Sequence, residues 1–292
     1  MGLLGAHVPT AGGLANAPTN AAAIGCEAFQ LFVKNPNRWA AAALTEADVA
    51  RFRAAHREHG SRSAVAHASY LVNLAATNPE TLAKSRAALA DELRRCDALG
   101  VRGLVLHPGA HGGAGTQKGL DAVARSLDAV LAQTPGDAAV WLENTAGQGT
   151  VLGRTPQELG AILARCDHRA RIGVCLDTCH AFAAGYPIHE VAGLAAWLEE
   201  VDVQVGLERL GCFHLNDAQC ALGSRRDRHA NIGAGKMGTE VFVRLLRDAR
   251  FTATPMLLET PRGEDKLGHA RDLARLRALV NRDAVPMAEL TP

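Results

Sequence analysis

Six histidine, aspartate and glutamate residues of this 292-residue chain each end a short apolar run. They are His67, His107, Glu143, Asp177, His214 and Glu259. Successive members are 40, 36, 34, 37 and 45 residues apart, and each interval is close to the length of one β/α unit. Three further candidates, His180, Asp227 and His229, lie between these runs. Imidazole with carboxylate is a donor set for zinc and, less selectively, for manganese or iron, so the series predicts a metal centre.

The number of candidate ligands predicts more than one metal ion. One histidine or carboxylate at a strand end is most often a structural residue or a helix cap, but six in succession are not explained in that way. Burying four carboxylates and five imidazoles together is costly unless positive charge compensates them. Nine ligands exceed the four of a closed zinc site. Three divalent ions against four carboxylates would leave a net charge of +2, which attracts an anion such as a phosphodiester.

Eight apolar runs, each followed by a segment of helical character, must position these side chains. The runs are Leu3 to Val8, Ala28 to Val33, Ala64 to Ala68, Leu104 to His107, Ala139 to Glu143, Ile172 to Asp177, Cys212 to Leu215 and Met256 to Glu259. Runs without strict alternation are typical of parallel strands buried on both faces. They predict a single-domain α/β fold, a closed (β/α)8 TIM barrel with its active site at the C-terminal mouth. An open doubly wound sheet is the alternative, although no GxGxxG loop follows the first run.

Helix boundaries are marked by capping residues. Thr155 is predicted to cap a helix, with Pro156 in its first turn and Glu158 completing a capping box. Asn78 precedes a proline in the same way. Gly60 and Gly100 stand where two helices are expected to end.

The composition is that of a globular protein, with 48% hydrophobic and 21% charged residues. We expect no membrane span and no secretory signal, because no apolar stretch is long enough. The net charge of +1 excludes binding to nucleic acid by overall charge but allows a local basic patch. Seven scattered cysteines predict a reducing, cytoplasmic location. We expect one domain over residues 1–283 and a flexible tail over residues 284–292.

Two cysteines raise a competing interpretation. Cys175 and Cys179, with His180, could form half of a structural zinc site. No second cysteine pair at matching spacing exists, so packing is favoured for Cys175. His7 is predicted to end the first strand and to support a metal ligand by a hydrogen bond.

Several longer motifs resemble endonuclease IV, the zinc-dependent apurinic/apyrimidinic endonuclease family of bacterial base excision repair. The resemblance covers nearly the whole chain. Its most specific stretches are Val174-Cys175-Leu176-Asp177-Thr178-Cys179-His180, His214-Leu215-Asn216-Asp217, Gly223-Ser224-Arg225 to His229, and Leu258-Glu259-Thr260. Shorter matches include Gly5-Ala6-His7-Val8, Leu31-Phe32 with Lys34-Asn35, His67-Ala68-Ser69-Tyr70-Leu71, His107-Pro108-Gly109 and Glu143-Asn144-Thr145-Ala146-Gly147.

The resemblance implies three zinc ions per chain, with Mn2+ or Fe2+ as substitutes, and assigns the ligands. The first ion would be held by His67, His107 and Glu143, the second by Glu143, Asp177, His214 and Glu259, and the third by His180, Asp227 and His229. Glu143, Asp177 and Glu259 are the implied catalytic carboxylates. A hydroxide between the first two ions would attack phosphorus in line. The cut would fall 5′ to an abasic site, leaving a 3′-hydroxyl and a 5′-deoxyribose phosphate, and blocked 3′ ends would also be trimmed.

The implied partner is damaged double-stranded DNA that contains abasic sites, bound by a monomer. Tyr70 and Leu71 match side chains that the family inserts into the duplex, where apolar or aromatic groups replace lost stacking. Where the family usually offers an arginine wedge, this chain has Asn37 with Arg38 beside it. The remaining rim residues that could contact phosphates are Lys34, Asn35, Arg225 and Arg228. Arg226 is interpreted as a solvated surface residue.

Two further departures from the family pattern concern the predicted binding of DNA. Gln219 replaces a lysine that often follows His-Leu-Asn-Asp, and Ala234 with Lys236 alters a Gly-Glu-Gly stretch. These departures affect the expected DNA affinity and leave the predicted metal ligands intact.

A metal-dependent sugar isomerase or epimerase on the same barrel is the main alternative function, because fold alone does not separate the two activities. The third ligand group is the discriminating feature. A non-enzymatic DNA-damage-binding or zinc-storage protein would bind without turnover.

Overall fold

The computed structural model describes residues 1–282, and within that range it contains ten strands and nine helices. The strands are β1 Leu3–His7, β2 Ala28–Leu31, β3 Ser63–His67, β4 Gly103–Leu106, β5 Ala139–Glu143, β6 Ile172–Asp177, β7 Leu210–His214, β8 Asp217–Ala218, β9 His229–Ala230 and β10 Pro255–Leu258. The helices are α1 Asn16–Ala23, α2 Glu46–His59, α3 Pro79–Leu99, α4 Thr116–Ala132, α5 Pro156–Ala164, α6 Thr178–Ala184, α7 Val191–Gln204, α8 Glu240–Arg247 and α9 Gly268–Arg282.

Eight of these strands form a closed parallel barrel in the order β1-β10-β7-β6-β5-β4-β3-β2. The predicted (β/α)8 barrel is therefore confirmed, and the open doubly wound alternative is excluded. His107 and Glu259 each lie one residue beyond the end of their strand. A short helix, α6, and an antiparallel hairpin of β8 and β9 are added at the C-terminal side of the barrel.

Capping residues determine several helix ends as the sequence predicts. The Asn78 side chain caps α3, and the Thr155 side chain accepts a hydrogen bond from the Glu158 amide at the start of α5. Gly60 and Gly100 end α2 and α3 in the left-handed conformation. The capping-box role of Glu158 is wrong, because its carboxylate accepts from the amides of Gly153 and Arg154. The glutamate thus orders the preceding loop.

The strands send two successive layers of side chains into the barrel. The lower layer consists of Leu3, Ala28, Val65, Val105, Cys175, Cys212 and Leu257, with Trp141 packed against it. Room for the indole depends on glycine, because a Cβ at Gly103 or Gly211 would approach the ring of Trp141 to 2.4 Å or 2.1 Å. The packing interpretation of Cys175 is consistent with its place in this layer. A second, larger core fills the space between the barrel and the surrounding helices.

The residue two positions further along most strands belongs to the upper layer, which we call the mouth layer. It consists of Gln30, His67, His107, Glu143, Asp177, His214 and Glu259. A spacing of two places both layers on the inward face, because successive side chains of a strand alternate between faces. The predicted tail over residues 284–292 lies outside the described residues. Among residues 1–282, no helix has the length and apolarity to cross a bilayer.

Candidate metal centre

The first predicted ligand group comes together at the ends of three neighbouring strands. Glu143 Oε2 lies 3.3 Å from His67 Nε2 and 3.0 Å from His107 Nε2. The side chains of Glu143 and His67 are buried, whereas His107 is 41% exposed toward the mouth. One nitrogen from each imidazole and one carboxylate oxygen lie within 4.8 Å of one another, a spacing that one ion could occupy.

The second group shares Glu143 with the first. Glu143 Oε1 lies 2.9 Å from His214 Nδ1, and Glu259 Oε2 lies 3.3 Å from the same nitrogen. Asp177 completes the group, with its Oδ2 3.9 Å from His214 Nδ1. The two oxygens of Glu143 therefore face different groups, which is the arrangement of a bridging carboxylate.

The third group lies beside the second and draws on α6 and the loop that leads to β9. Asp227 places its two oxygens 3.2 Å from His180 Nε2 and 3.2 Å from His229 Nε2. His229 Nε2 is also 3.7 Å from Asp177 Oδ2, which connects the third group to the second. Asp177 further joins the two groups through the backbone, because its Oδ1 accepts a 2.6 Å hydrogen bond from His180 N. All nine predicted ligands thus line one cluster.

Backbone carbonyl groups orient three of the imidazoles. In His67, His180 and His229, Nδ1 lies 2.8, 2.9 and 3.2 Å from a main-chain oxygen. The acceptors are Ala68, Asn144 and Glu259. A proton on Nδ1 satisfies each contact and leaves the lone pair of Nε2 pointing at the carboxylates, as a metal ligand requires.

Gln30 is a supporting residue that sequence reasoning missed. Its amide nitrogen donates to Glu259 Oε1 at 2.6 Å and lies 3.0 Å from His7 Nδ1, while its amide oxygen lies 2.9 Å from His214 Nε2. A proton on Nε2 of His214 leaves Nδ1 facing the carboxylates. The available signal is the glutamine that interrupts the apolar run Ala28 to Val33. His7 Nδ1 lies 3.6 Å from Glu259 Oε1, so its supporting role stays a prediction with a favourable geometry.

Two buried asparagines, also missed, hold Asp177 in place. Asn144 Oδ1 accepts from Asp177 N at 2.6 Å. Asn216 Nδ2 donates to Asp177 Oδ2 at 2.6 Å, and Asn216 Oδ1 accepts from Glu259 N at 2.8 Å. The available signal is proximity to a ligand in the sequence, because Asn144 directly follows Glu143 and Asn216 lies two residues after His214.

Electrostatics at the site call for added positive charge. Burial alone would raise the pKa of Glu143, but the imidazoles of His214 and His107 outweigh it and hold that pKa well below its usual range. Conversely, burial would lower the pKa of His180, but the neighbouring carboxylates raise that pKa well above its usual value, and Asp177 makes the largest contribution among them. The pKa of His229 is raised to about 9 because Asp227 and Asp177 outweigh burial. Protons on the imidazoles or bound cations can supply this charge.

The donor set fits divalent metal ions. His229 Nε2 is buried and makes no hydrogen bond among the described residues, although it faces Asp227. A buried nitrogen with a free lone pair beside carboxylates is the environment of a metal ligand. In the part of the chain that is described, Cys175 and Cys179 do not fall in one group of candidate ligands. That geometry does not support the structural zinc site of these two thiols.

One of the predicted DNA contacts is contradicted by burial. The Lys34 side chain is only 1% exposed, and its ammonium lies 3.2 Å from Glu92 Oε1. Lys34 is therefore not a rim residue, because an internal ion pair holds it beneath the loop. Asn35, Asn37 and Arg38 are exposed on that same loop. Their contacts with DNA stay predictions.

The other predicted rim residues surround the mouth. Tyr70 is 68% exposed and lines a cavity of about 470 Å³ together with His67 and His107. Leu71 is half-buried. Arg228 lines the same cavity, whereas Arg225 is exposed on a loop whose backbone donates to Ala183 O of α6.

Two additional residues at the mouth are not indicated by the sequence pattern. Arg262 and His269 line the cavity from the segment after β10. His269 is buried, with Nε2 2.8 Å from Thr260 O, so it braces the residue that follows Glu259. Neither position ends an apolar run, and for that reason the strand-end pattern gives no signal for them.

Comparison with known proteins places the barrel in a class. The family model of the xylose isomerase-like TIM barrel matches residues 18–279, so the chain belongs to that family. Solved structures of a D-tagatose 3-epimerase-like protein and of a D-psicose 3-epimerase from Clostridium cellulolyticum have TM-scores of 0.69 and 0.69 at 19% and 15% identity. At such identity the likeness concerns the fold alone.

Closer relatives define the particular family. Probable endonuclease 4 of Halorhodospira halophila is 44% identical over 289 residues, which cover 98% of this chain and 97% of that protein. Probable endonuclease 4 of Chloroflexus aggregans is 45% identical over 277 residues, with 94% and 97% coverage. The crystal structure of endonuclease IV from Thermus thermophilus has a TM-score of 0.84 at 40% identity, covering 96% of this chain and 99% of that one. The chain belongs to the endonuclease IV family.

Proposed function

We propose that this protein is a DNA-repair phosphodiesterase that cuts the backbone 5′ to apurinic/apyrimidinic sites in base excision repair. The products are a 3′-hydroxyl and a 5′-deoxyribose phosphate, and blocked 3′ ends are also removed. The observation that carries the proposal is the third ligand group, His180, Asp227 and His229, next to the other two groups. A sugar isomerase with one or two metal ions has no evident need for that group. Membership of the endonuclease IV family supports the same conclusion.

The cofactor that we propose is three zinc ions per chain, with manganese or iron as substitutes. The first, second and third groups described above would each hold one ion, and Glu143 would contribute to two of them. When bound, such ions lower the pKa of water and stabilise negative charge on the attacking and leaving oxygens of a phosphodiester. Because all nine ligands come from one chain, a monomer is sufficient for the reaction that we propose.

The protein's own residues prepare the site by orientation and charge. Asp177 and Glu259 supply carboxylate oxygens at fixed positions, because Asn216 donates to Asp177 and Gln30 donates to Glu259. Such preorganisation matters for catalysis, since donors and charges that need not rearrange stabilise a transition state most effectively. The burial of Glu143 and Asp177 also excludes water from the floor of the mouth.

The size of the mouth favours a nucleotide that has left the duplex. A cavity of about 470 Å³ admits a sugar-phosphate unit but not a stacked base pair with its neighbours. A nucleotide without a base rotates out of the helix at the lowest cost, since no base has to be unstacked. The volume of the mouth therefore supports abasic DNA as the proposed substrate.

The rim is proposed to hold the bent duplex. Tyr70 and Leu71 would enter the gap that the extruded nucleotide leaves. Asn37 with Arg38 would act on the neighbouring loop. Phosphate contacts are assigned to Asn35, Arg225 and Arg228, while Lys34 is withdrawn from that role.

Two departures from the family pattern have positions near the third group. The Gln219 amide donates to His229 O at 2.8 Å, so it braces a ligand-bearing segment where a lysine would reach toward phosphate. Ala234 and Lys236 are exposed on the turn after β9, and Lys236 N donates to Ala218 O. These substitutions are proposed to lower DNA affinity and to leave the chemistry intact.

The decisive test is a cleavage assay on a labelled duplex with a single abasic analogue. Protein as purified is expected to cut the strand once, immediately 5′ to the analogue, and to leave an undamaged duplex intact. Prior chelation should abolish the cut, and added zinc should restore it. The matched control is the same duplex with a normal nucleotide at that position.

Other results would identify the competing functions. Tight binding of abasic duplex with no product over several hours would show a damage-binding protein. Interconversion of ketose epimers together with no cleavage would show a sugar epimerase. Either outcome would replace the phosphodiesterase proposal.

A further inference from the structure

A buried ion pair outside the barrel mouth has no part in the metal centre. Lys34 follows β2 and Glu92 lies in α3, and Lys34 Nζ is 3.2 Å from Glu92 Oε1. Both side chains are 1% exposed. Two charges that are buried in this way need further hydrogen bonds to be tolerated. The partners in those hydrogen bonds show which segments of the chain the ion pair fixes in place.

Glu92 is connected to the loop after β3, residues 68–78, which we call the Tyr70 loop. Its carboxylate accepts from Ser69 N, with Oε2 at 3.2 Å and Oε1 at 3.4 Å. The Ser69 hydroxyl accepts from Leu71 N at 3.2 Å. The backbone on both sides of Tyr70 is therefore anchored through one serine.

The same serine reaches the loop after β2, residues 32–45, which we call the Arg38 loop. Ser69 Oγ donates to Pro36 O at 2.5 Å. Lys34 Nζ donates to Trp39 O at 3.1 Å, which closes the segment that contains Arg38. An edge contact between the rings of Phe32 and Tyr70, with centroids 5.3 Å apart, adds a second direct contact between the loops.

These contacts lie next to the side chains that the proposed function uses. Ser69 immediately precedes Tyr70, and Pro36 immediately precedes Asn37. A shift of either anchor changes the positions of the exposed side chains directly. Candidate ligands of the second and third groups, by contrast, are held by other partners, such as Gln30 for His214 and Asn216 for Asp177.

We propose that Lys34, Ser69 and Glu92 are positioning residues that join the Tyr70 loop and the Arg38 loop into one rigid wedge for the damaged duplex. The inference rests on the proposed function and deepens it. The pair fixes the relative position of the two loops, so both enter the duplex in one geometry. Substrate recognition, and not the reactivity of the metal centre, depends on it.

The test compares two substrates, of which only one has to be opened by the Tyr70 loop and the Arg38 loop before it can reach the metal centre. Bis(4-nitrophenyl) phosphate reaches the metal centre without any duplex, whereas a duplex with one abasic analogue must be bent and opened. In Glu92→Gln and in Ser69→Ala, KM for the duplex is expected to rise about tenfold, because small displacements of positioning groups have effects of that order or larger. The kcat for the duplex and both constants for the small diester should stay unchanged.

A double-mutant cycle with Tyr70→Ala tests whether the positioning residues act through the side chain of Tyr70. The effect of Glu92→Gln on duplex KM should be much smaller in the Tyr70→Ala background, since residues that act as a unit are not additive. Glu80→Gln removes an exposed ion pair with Lys84 on the same helix and is the matched control, expected to behave as the parent protein.

Two results would overturn the inference. One is an unchanged duplex KM in Ser69→Ala, which keeps the ion pair and decides the question even where Glu92→Gln does not fold. The other is an equal loss on both substrates, the result of a purely structural role. If the parent protein hydrolyses the small diester but does not cut abasic duplex, the proposed function fails instead.

Discussion

The lower layer and the mouth layer of the barrel lie two residues apart on the same strands and differ completely in chemistry. Val65 and His67 share β3, and Cys212 and His214 share β7. The lower layer is apolar and is satisfied by packing alone. The mouth layer consists of acids, imidazoles and an amide, and two of its members, His107 and Glu259, are partly exposed.

This contrast separates stability from activity along each strand. The lower layer buries apolar surface and needs nothing beyond its neighbours, so it stabilises the closed barrel. The mouth layer gathers the three carboxylates of Glu143, Asp177 and Glu259, and burial without positive charge makes that arrangement unfavourable. Such unfavourable burial of charge at a functional site is tolerated because favourable packing elsewhere in the structure offsets it. Four experiments test whether the two layers have these separate roles.

Removal of metal is expected to have the largest effect. Chelation should abolish cleavage and lower Tm, because a ligand that binds only the folded state stabilises it by mass action. Far-UV circular dichroism should stay that of a folded barrel, since the lower layer does not depend on ions. Metal analysis before chelation should give about three ions per chain from the ligand count; one ion per chain would contradict the three-group arrangement.

Glu259→Gln is the next largest change, and it acts in the mouth layer of β10. We expect kcat to fall about 10²–10³-fold, because a ligand charge is lost at a site where metal ions contribute several kcal/mol. Binding of abasic duplex, measured by fluorescence anisotropy, should be preserved because the wedge loops are untouched. Turnover equal to that of the parent protein would remove Glu259 from the catalytic set.

Leu257→Ala changes the lower layer of the same strand, two residues earlier. The side chain is fully buried, so its loss should lower the free energy of unfolding by about 2–5 kcal/mol. Urea denaturation measures this change. At 25 °C the folded variant should retain its metal content and nearly all of its kcat. A loss of metal with little change in stability would show that the two layers are not separable.

Gln30→Leu gives the smallest expected effect in the mouth layer. It removes the acceptor for His214 Nε2 and the donor to Glu259 while it keeps a similar volume. Loss of such a supporting hydrogen bond typically costs about 10–100-fold in metal affinity or activity. Titration with zinc after chelation measures the affinity, and Gln133→Leu, at an exposed position just after α4, serves as a comparison.

Much of this organisation could be predicted from the sequence, because it follows from local patterns. A polar residue that ends an apolar run shows both where a strand stops and where its side chain meets the others, so the barrel and six of the nine candidate ligands could be identified together. Glu143 and Asp177 are examples in which the strand end and the candidate ligand coincide. The family resemblance added the division of those ligands into three groups.

The remainder depends on long-range contacts that no local pattern records. Lys34 has the sequence context of a rim residue, and only the packing of α3 against two loops buries it beside Glu92. Gln30 is easily overlooked because the apolar run continues past it. The carboxylate of Glu158 reaches the preceding loop, since the amides of Gly153 and Arg154 approach it more closely than the expected partner.

The direct passage from β6 into α6 has a consequence for what the mouth can accept. Asp177 ends the strand and caps the helix that begins at Thr178, so no loop separates the second ligand group from His180 in the third. The short backbone segment from Asp177 to His180 therefore sets the distance between these two residues, and motion of the rim does not alter that distance. In the proposed reaction, a phosphate that bridges the two groups would have to match this distance.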